Sequence, residues 1–220
     1  MRIKATFLSC LLCLLVAAGD AAAATLNPGN ISLLFGTTAA ARAELAGTVL
    51  EDTSRPFAID LGGGLSITGT IQDRVVRSDI DGTLDFYYRI TNDATSDGSI
   101  LFANRTDYSG VTTDVDWRID GLGLVAPSFA FRNPSGDEVT FFFTSLPIGP
   151  GGDSRFFFIK TDATMYNESG QGLLAGTGGS GNGASFVFPT FQPLQAVPLP
   201  PALWLFGSGV VGLMMLGRRR

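Results

Sequence analysis

Five clusters of turn-forming residues, "DIDG", "ATSDGS", "NPSGD", "GPGGDS" and "NESGQG", cut the middle of the chain into short apolar runs. Asp, Asn and Ser close turns through their own side chains and Gly supplies positive φ, so each cluster ends the element before it. What remains between the clusters is too short for most helices and carries the period of strands. "LSITGTIQ" (65–72) alternates apolar and polar residues, as does the first half of "TLDFYYRIT" (83–91). Further candidate strands lie at 100–104, 114–119, 128–131, 139–144, 155–161 and 184–188. This spacing predicts an all-β fold, an antiparallel β-sandwich or jelly-roll-like ectodomain over residues 25–188. Only residues 37–47, "TTAAARAELAG", offer a helix, with Thr near its start and Gly at its end; a strand is the alternative there. The Gly-rich segment 172–186 predicts a mobile loop before a last strand, and residues 189–196 a linker.

Phenylalanine is used 17 times, and "TFFFTS" and "SRFFFIKT" place three in a row. Neighbours in a strand point to opposite faces, so Phe142 faces away from Phe141 and Phe143. The expectation is that both faces of these strands are covered, since large aromatics are usually buried. The functional alternative is an exposed aromatic platform for sugar rings.

The first 24 residues read as an export signal. Arg2 and Lys4 make a positive start, residues 5–18 an apolar run too short for a membrane anchor, and Ala22, Ala23 and Ala24 a cleavage site before Thr25. Both cysteines, Cys10 and Cys13, fall inside this segment and would leave with it. The exported chain then has no disulfide and no thiolate metal site. Histidine is absent from the whole sequence. That excludes Ser-His-Asp and Cys-His catalysis and leaves oxygen as the ligand for any metal.

The other end is apolar and then basic. Residues 202–217 carry no charge, a length of about 24 Å as a helix, short of the ~30 Å hydrocarbon core yet able to span it with local thinning. Trp204 suits the interfacial belt, and Gly207, Gly209 and Gly212 would let a second helix approach closely. Arg218, Arg219 and Arg220 would stay cytoplasmic. Val197, Pro198, Leu199 and Pro200, then "PALWLFGSGVVGL", then the arginines, resemble the PEP-CTERM sorting signal of Gram-negative bacteria. Leu199 stands where the name-giving Glu usually sits, as in the VPLP-type variant of that tail. The resemblance covers residues 197–220. It implies recognition by an exosortase, a membrane cysteine transpeptidase, with cleavage near Val197–Pro200, transient inner-membrane tethering and delivery to the cell surface or an exopolysaccharide-rich matrix. "GTLDFYYRITND" and "FFIKTDATMYNESGQG" resemble ectodomains that accompany such tails, a likeness that brings no activity with it.

Without its two ends the chain holds nineteen acids (all twenty but Asp20) and ten bases (fifteen less Arg2, Lys4 and the three terminal arginines), a balance of about −9. Nucleic acid and anionic lipid need a positive footprint, so this balance argues against both as partners. Asp79 and Asp81 in "DIDG", and Asp114, Asp116 and Asp120 in "TTDVDWRID", are closely spaced hard ligands that suit calcium; solvated turn residues are the plain alternative. A glycoside hydrolase needs only two carboxylates, but Glu44, Glu51, Glu138 and Glu168 lack a context that marks a buried acid. No G-K-[ST] follows any glycine run, so a phosphate loop is rejected. The expectation is therefore not an enzyme but an exported structural or adhesive protein. A carbohydrate-binding module and a secreted hydrolase are the alternatives.

Overall fold

The structure, a computed structural model, describes residues 24–178, 181 and 183–194. Residues 1–23 of the expected signal peptide, the sorting tail 197–220 and the end of the linker lie outside the described residues. The strands are β1 (Ala24–Thr25), β2 (Ile31–Leu33), β3 (Gly47–Gly62), β4 (Leu65–Ser78), β5 (Leu84–Asn92) and β6 (Gly98–Arg105). They continue with β7 (Thr113–Trp117), β8 (Phe129–Arg132), β9 (Val139–Phe142), β10 (Phe157–Thr161), β11 (Met165–Gly178) and β12 (Gly183–Leu194). Two six-stranded sheets result, β1-β7-β10-β5-β4-β3 and β12-β11-β6-β9-β8-β2, with every paired neighbour antiparallel. The β-sandwich-like, all-β expectation is met.

The sheets face each other through alternate residues. Phe86, Tyr88 and Ile90 of β5, Ile71 and Val75 of β4 and Phe157 and Ile159 of β10 line one inner face. Ala103, Ala130, Phe141 and Leu174 line the other. The Phe157 ring lies 4.7 Å from that of Phe141 and 5.7 Å from that of Phe143, joining the layers at their centre. The β3–β4 hairpin turns at Gly63 and Gly64, both at positive φ (66° and 84°), as a two-residue turn of type I′ requires.

Several sequence expectations are corrected. Residues 37–47 form no α-helix, only a 3₁₀ turn at Ala43–Leu45. Tertiary contacts flatten this segment: the Gly36 N–H donates to Asp116, Thr37 bridges to Arg118, and Arg42 reaches Asp114. β3 was not legible because it is an edge strand carrying Pro56 and charged residues, which a sheet edge tolerates. The supposed loop from 172 is the second half of β11. Its glycines are there for clearance: a Cβ on Gly172 would lie 2.4 Å from the Phe188 ring, and one on Gly176 2.5 Å from Ile67. Residues 189–194, expected as linker, complete β12 and bury Thr190 and Phe191.

A fully buried ion pair lies between the sheets. Arg105 of β6 is fully buried, with its guanidinium 3.9 Å from the Tyr88 ring centre and 4.8 Å from that of Phe188. It stands 3.7 Å from Asp73 of β4, whose other oxygen accepts a 3.1 Å hydrogen bond from Arg55. Burial raises the Asp73 pKa, with Arg105 and Arg55 opposing. Removing Arg105 leaves the buried Asp73 carboxylate with Arg55 alone and opens a void between the Tyr88 and Phe188 rings. We expect Arg105→Ala and Phe157→Ala each to lower the unfolding free energy by about 3–5 kcal/mol in urea titrations, the first by a half-compensated buried carboxylate and a void, the second by a cavity. Phe142→Ala, on the solvent side, should cost clearly less.

Candidate functional site: two contrasting sheet faces

The outer face of the first sheet carries the charge. Cross-strand pairing puts Asp114, Lys160 and Asp85 in one row and Asp116, Phe158, Tyr87 and Arg74 in the next. Beneath the 34–46 segment, Leu45, Val76, Tyr87, Phe156 and Phe158 form a second small core. All three phenylalanines of "FFF" at 156–158 are buried, so that strand is covered on both faces as expected.

The expected calcium residues do not converge. Asp114 accepts a 2.9 Å hydrogen bond from Arg42, and Asp116 accepts from the Gly36 and Trp117 N–H groups at 2.8 and 2.9 Å. Asp120 lies past the end of β7 and is held by Arg118 at 2.7 and 3.0 Å and by the Ala39 N–H. Asp81 pairs with Lys160 and Thr83, and Asp79 accepts from Thr48. Among the described residues no group of three or more acids could hold a metal ion. A concavity of about 520 Å³ on this face is lined by Leu45, Arg74, Tyr87, Arg118, Leu122 and Phe156. Its two guanidiniums are already taken by Asp52 and Asp120, so it offers shape more than charge.

Asp85 stands apart. It is fully buried, and neither carboxylate oxygen finds a hydrogen-bond partner among the described residues. Burial pushes its pKa up to about 7, with Lys160 opposing and Asp81 adding to the rise. Burial likewise raises Asp114 and Asp116. For Asp81 burial acts in the same direction, but hydrogen bonds from Thr83 and Lys160 outweigh it and hold that carboxyl well below its usual value. A carboxyl with a raised folded pKa keeps its proton in the native state after the unfolded chain has released it, so its stabilisation is lost as pH rises. We expect the unfolding free energy to fall between pH 4 and about pH 7, by on the order of 2–4 kcal/mol from Asp85. Thermal melts of Asp85→Asn against pH should show a flatter profile over that window.

The outer face of the second sheet is the opposite in character. Its paired residues run Leu33, Phe129, Phe142, Phe102, Ala175 and Ser185 in one row. The adjacent row is Ile31, Phe131, Thr140, Asn104, Leu173 and Val187. None of these twelve residues is charged, in a chain of 16% charged residues. Ile31 is 65% exposed, Leu33 64% and Val187 56%, and Phe35 beside β2 reaches 79%. Phe142 is half-buried here and its outer face is open, which corrects the expectation that both faces of that strand are covered.

The relief of this face follows from its sequence. Phe129 and Phe142 stack with centroids 4.6 Å apart and planes 14° from parallel, and Phe102 lies 5.7 Å from Phe142. The 4.6 Å separation is close to the spacing of neighbouring strands, so these two rings stand on the sheet with their faces toward each other and their edges outward. Along this row the largest side chains therefore stand on β8, β9 and β6. The side chains shrink to Ala175 and Ser185 on β11 and β12, where two adjoining hollows of about 360 and 460 Å³ meet at Phe102 and Ser185. Asn104, which donates to the Thr140 hydroxyl at 3.0 Å, lines the first of these hollows.

Sequence reasoning placed Phe142 correctly opposite its neighbours but missed the face, because β2 and the second half of β11 went unread. The signal available was "FAF" at 129–131, two aromatics at strand spacing on one side. Val197, Pro198, Leu199 and Pro200, the span marked by Trp204, Gly207, Gly209 and Gly212, and Arg218 to Arg220 lie outside the described residues. Among the described residues no helix is long and apolar enough to cross a membrane. Comparison of the chain with known protein families, with characterised proteins and with solved structures finds no match.

Proposed function

We propose that this is an exported structural or adhesive protein of the cell surface or extracellular matrix. A cleaved signal peptide carries it across the inner membrane, and residues 202–217 then hold it there as a helix with the sandwich in the periplasm. An exosortase reads the tail, with Val197 to Pro200 as the recognition and cleavage segment and Arg218 to Arg220 as the cytoplasmic stop. The order of proline motif, apolar run and arginines in residues 197–220 supports the sorting part. The observation that carries the adhesive part is the charge-free aromatic face of the second sheet, since contiguous exposed apolar surface of this kind marks an interaction site.

A carbohydrate-binding role is the second reading. It draws on the hollow beside Phe102, where Asn104, Gln171, Glu138 and Ser185 offer hydrogen-bonding groups to a sugar chain. Against it, the stacked Phe129 and Phe142 turn edges outward, whereas sugar rings pack on aromatic faces.

Intact mass of the protein recovered from its host, with and without the host's exosortase, tests the sorting part. Wild-type protein should lack everything beyond the Val197–Pro200 region, and the knockout should retain the tail in the membrane fraction. A tail that persists in both strains would make the helix a plain anchor and end the sorting proposal.

A further inference from the structure

We propose that the chain just past β12, residues 195–200, folds back around the edge of the sandwich and docks in the concavity on the outer face of the first sheet. The docking stands without the sorting reading. What it withholds rests on that reading, because the docked segment contains Val197 to Pro200.

The place where the described chain ends selects this occupant. The last strand, β12, runs along β3, the edge strand of the first sheet. The Arg55 guanidinium stands 5.6 Å over the Phe191 ring, and Tyr166, paired with Pro193, donates through its hydroxyl to Glu51 at 2.9 Å. Leu194 is therefore level with the start of β3, where Gly47 and Val49 form the near wall of the concavity. Stacked sheets stand about 10 Å apart, and the six residues from Gln195 to Pro200 reach roughly 20 Å when extended, enough to round the edge. The segment before β1 is the poorer fit. It leaves from the opposite edge of the first sheet, five strand spacings of about 4.8 Å away, and carries Arg2, Lys4 and Asp20.

The chemistry of the two surfaces matches. Residues 195–217 carry no charge, and the guanidiniums of the concavity are already neutralised, Arg74 by Asp52 and Arg118 by Asp120. Leu45, Val49, Leu122 and Phe156 offer apolar walls to Val197 and Leu199, and Val49 and Leu122 are 49% and 64% exposed without that cover. Pro198 and Pro200 have no N–H to leave unpaired in a dry groove. They also favour the extended, left-handed form that aromatic-lined grooves accept at low entropic cost. Tyr87 and Phe156 supply the aromatic floor, with the Arg74 guanidinium 4.8 Å over the Phe156 ring. A contact this small is weak between separate molecules. On a tether of a few residues it forms at high effective concentration, so it needs no interface-sized area. Docked, Val197 to Pro200 are closed to an enzyme that reads them; released, they are open to it.

The test uses the full chain from the exosortase knockout, so that the tail stays attached, purified in detergent with Cys10→Ala and Cys13→Ala. Val197→Cys then puts a sole thiol of similar size in the segment, and its rate of reaction with a soluble maleimide reports cover. Met165→Cys, at an exposed residue paired with Leu194, is the comparison. We expect Val197→Cys to react roughly tenfold more slowly than Met165→Cys, a docked state favoured by about 1.4 kcal/mol. Adding Leu122→Lys in the concavity wall, or Leu199→Ser in the segment, should each restore the rate. The first sets a charge in the groove and the second removes an apolar anchor without touching the sandwich. Urea titration of Leu122→Lys checks that its fold is intact. Equal rates at Val197→Cys and Met165→Cys overturn the proposal. So does slow labelling that neither substitution relieves, which would place Val197 under detergent instead. Neither result bears on the sorting reading, which stands or falls on the intact mass of the wild-type protein.

Discussion

The contact that the fold depends on is Phe157 of one sheet seated against Phe141 and Phe143 of the other. Side chains alternate along a strand, so fixing one residue inward fixes every second residue of that strand, and pairing carries the choice to its neighbours. With Phe157 inward, Phe156 and Phe158 must face out, and the 34–46 segment with Leu45 covers them. With Phe141 inward, Phe142 must face out, and there the described residues place nothing over it. The same triplet of phenylalanines thus has two fates, decided by what lies above each sheet.

The two outer faces divide the chemistry of the chain between them. The first sheet gathers acids and bases that neutralise one another: Arg42 with Asp114 and Glu44, Arg74 with Asp52, Arg118 with Asp120, Arg89 with Asp153. Such pairs near solvent contribute little to stability but keep that face soluble and give it definite partners. The second sheet turns Arg105 inward to meet Asp73 of the first between Tyr88 and Phe188. A buried pair of this kind stabilises weakly compared with apolar packing, yet it penalises any register that would leave one member alone. It holds β6 opposite β4 and so helps set which residues of β6 reach the outer face.

Much of the fold could be read from the chain because turn chemistry is local. "NPSGD" places Gly136 at a φ of 74°, and "GPGGDS" places Gly151 at 74°, conformations that Gly adopts freely. What went unread had a non-local cause in each case. β11 looks like a loop because its glycines answer to Phe188 and Ile67, residues from other strands. β3 lacks a clean alternation in its first half because an edge strand is solvated on more than one side. The 37–47 segment has helical composition, but Asp116 and Asp114, 80 and 72 residues from their partners in sequence, hold it flat. The outer aromatic face needed six strands brought side by side before it existed at all.

By itself the sequence determined the all-β class, through turn residues that stop each run. It excluded imidazole chemistry, because the chain has no histidine, and left residues 25–220 without a thiol, because both cysteines precede them. It also supplied the tripartite tail on which the sorting proposal rests. Only the tertiary structure decided that Asp114, Asp116 and Asp120 each find a separate partner, and that Phe102, Phe129 and Phe142 form one surface. Both outcomes depend on cross-strand register, and register is set by which residues the opposing sheet will accept in the core.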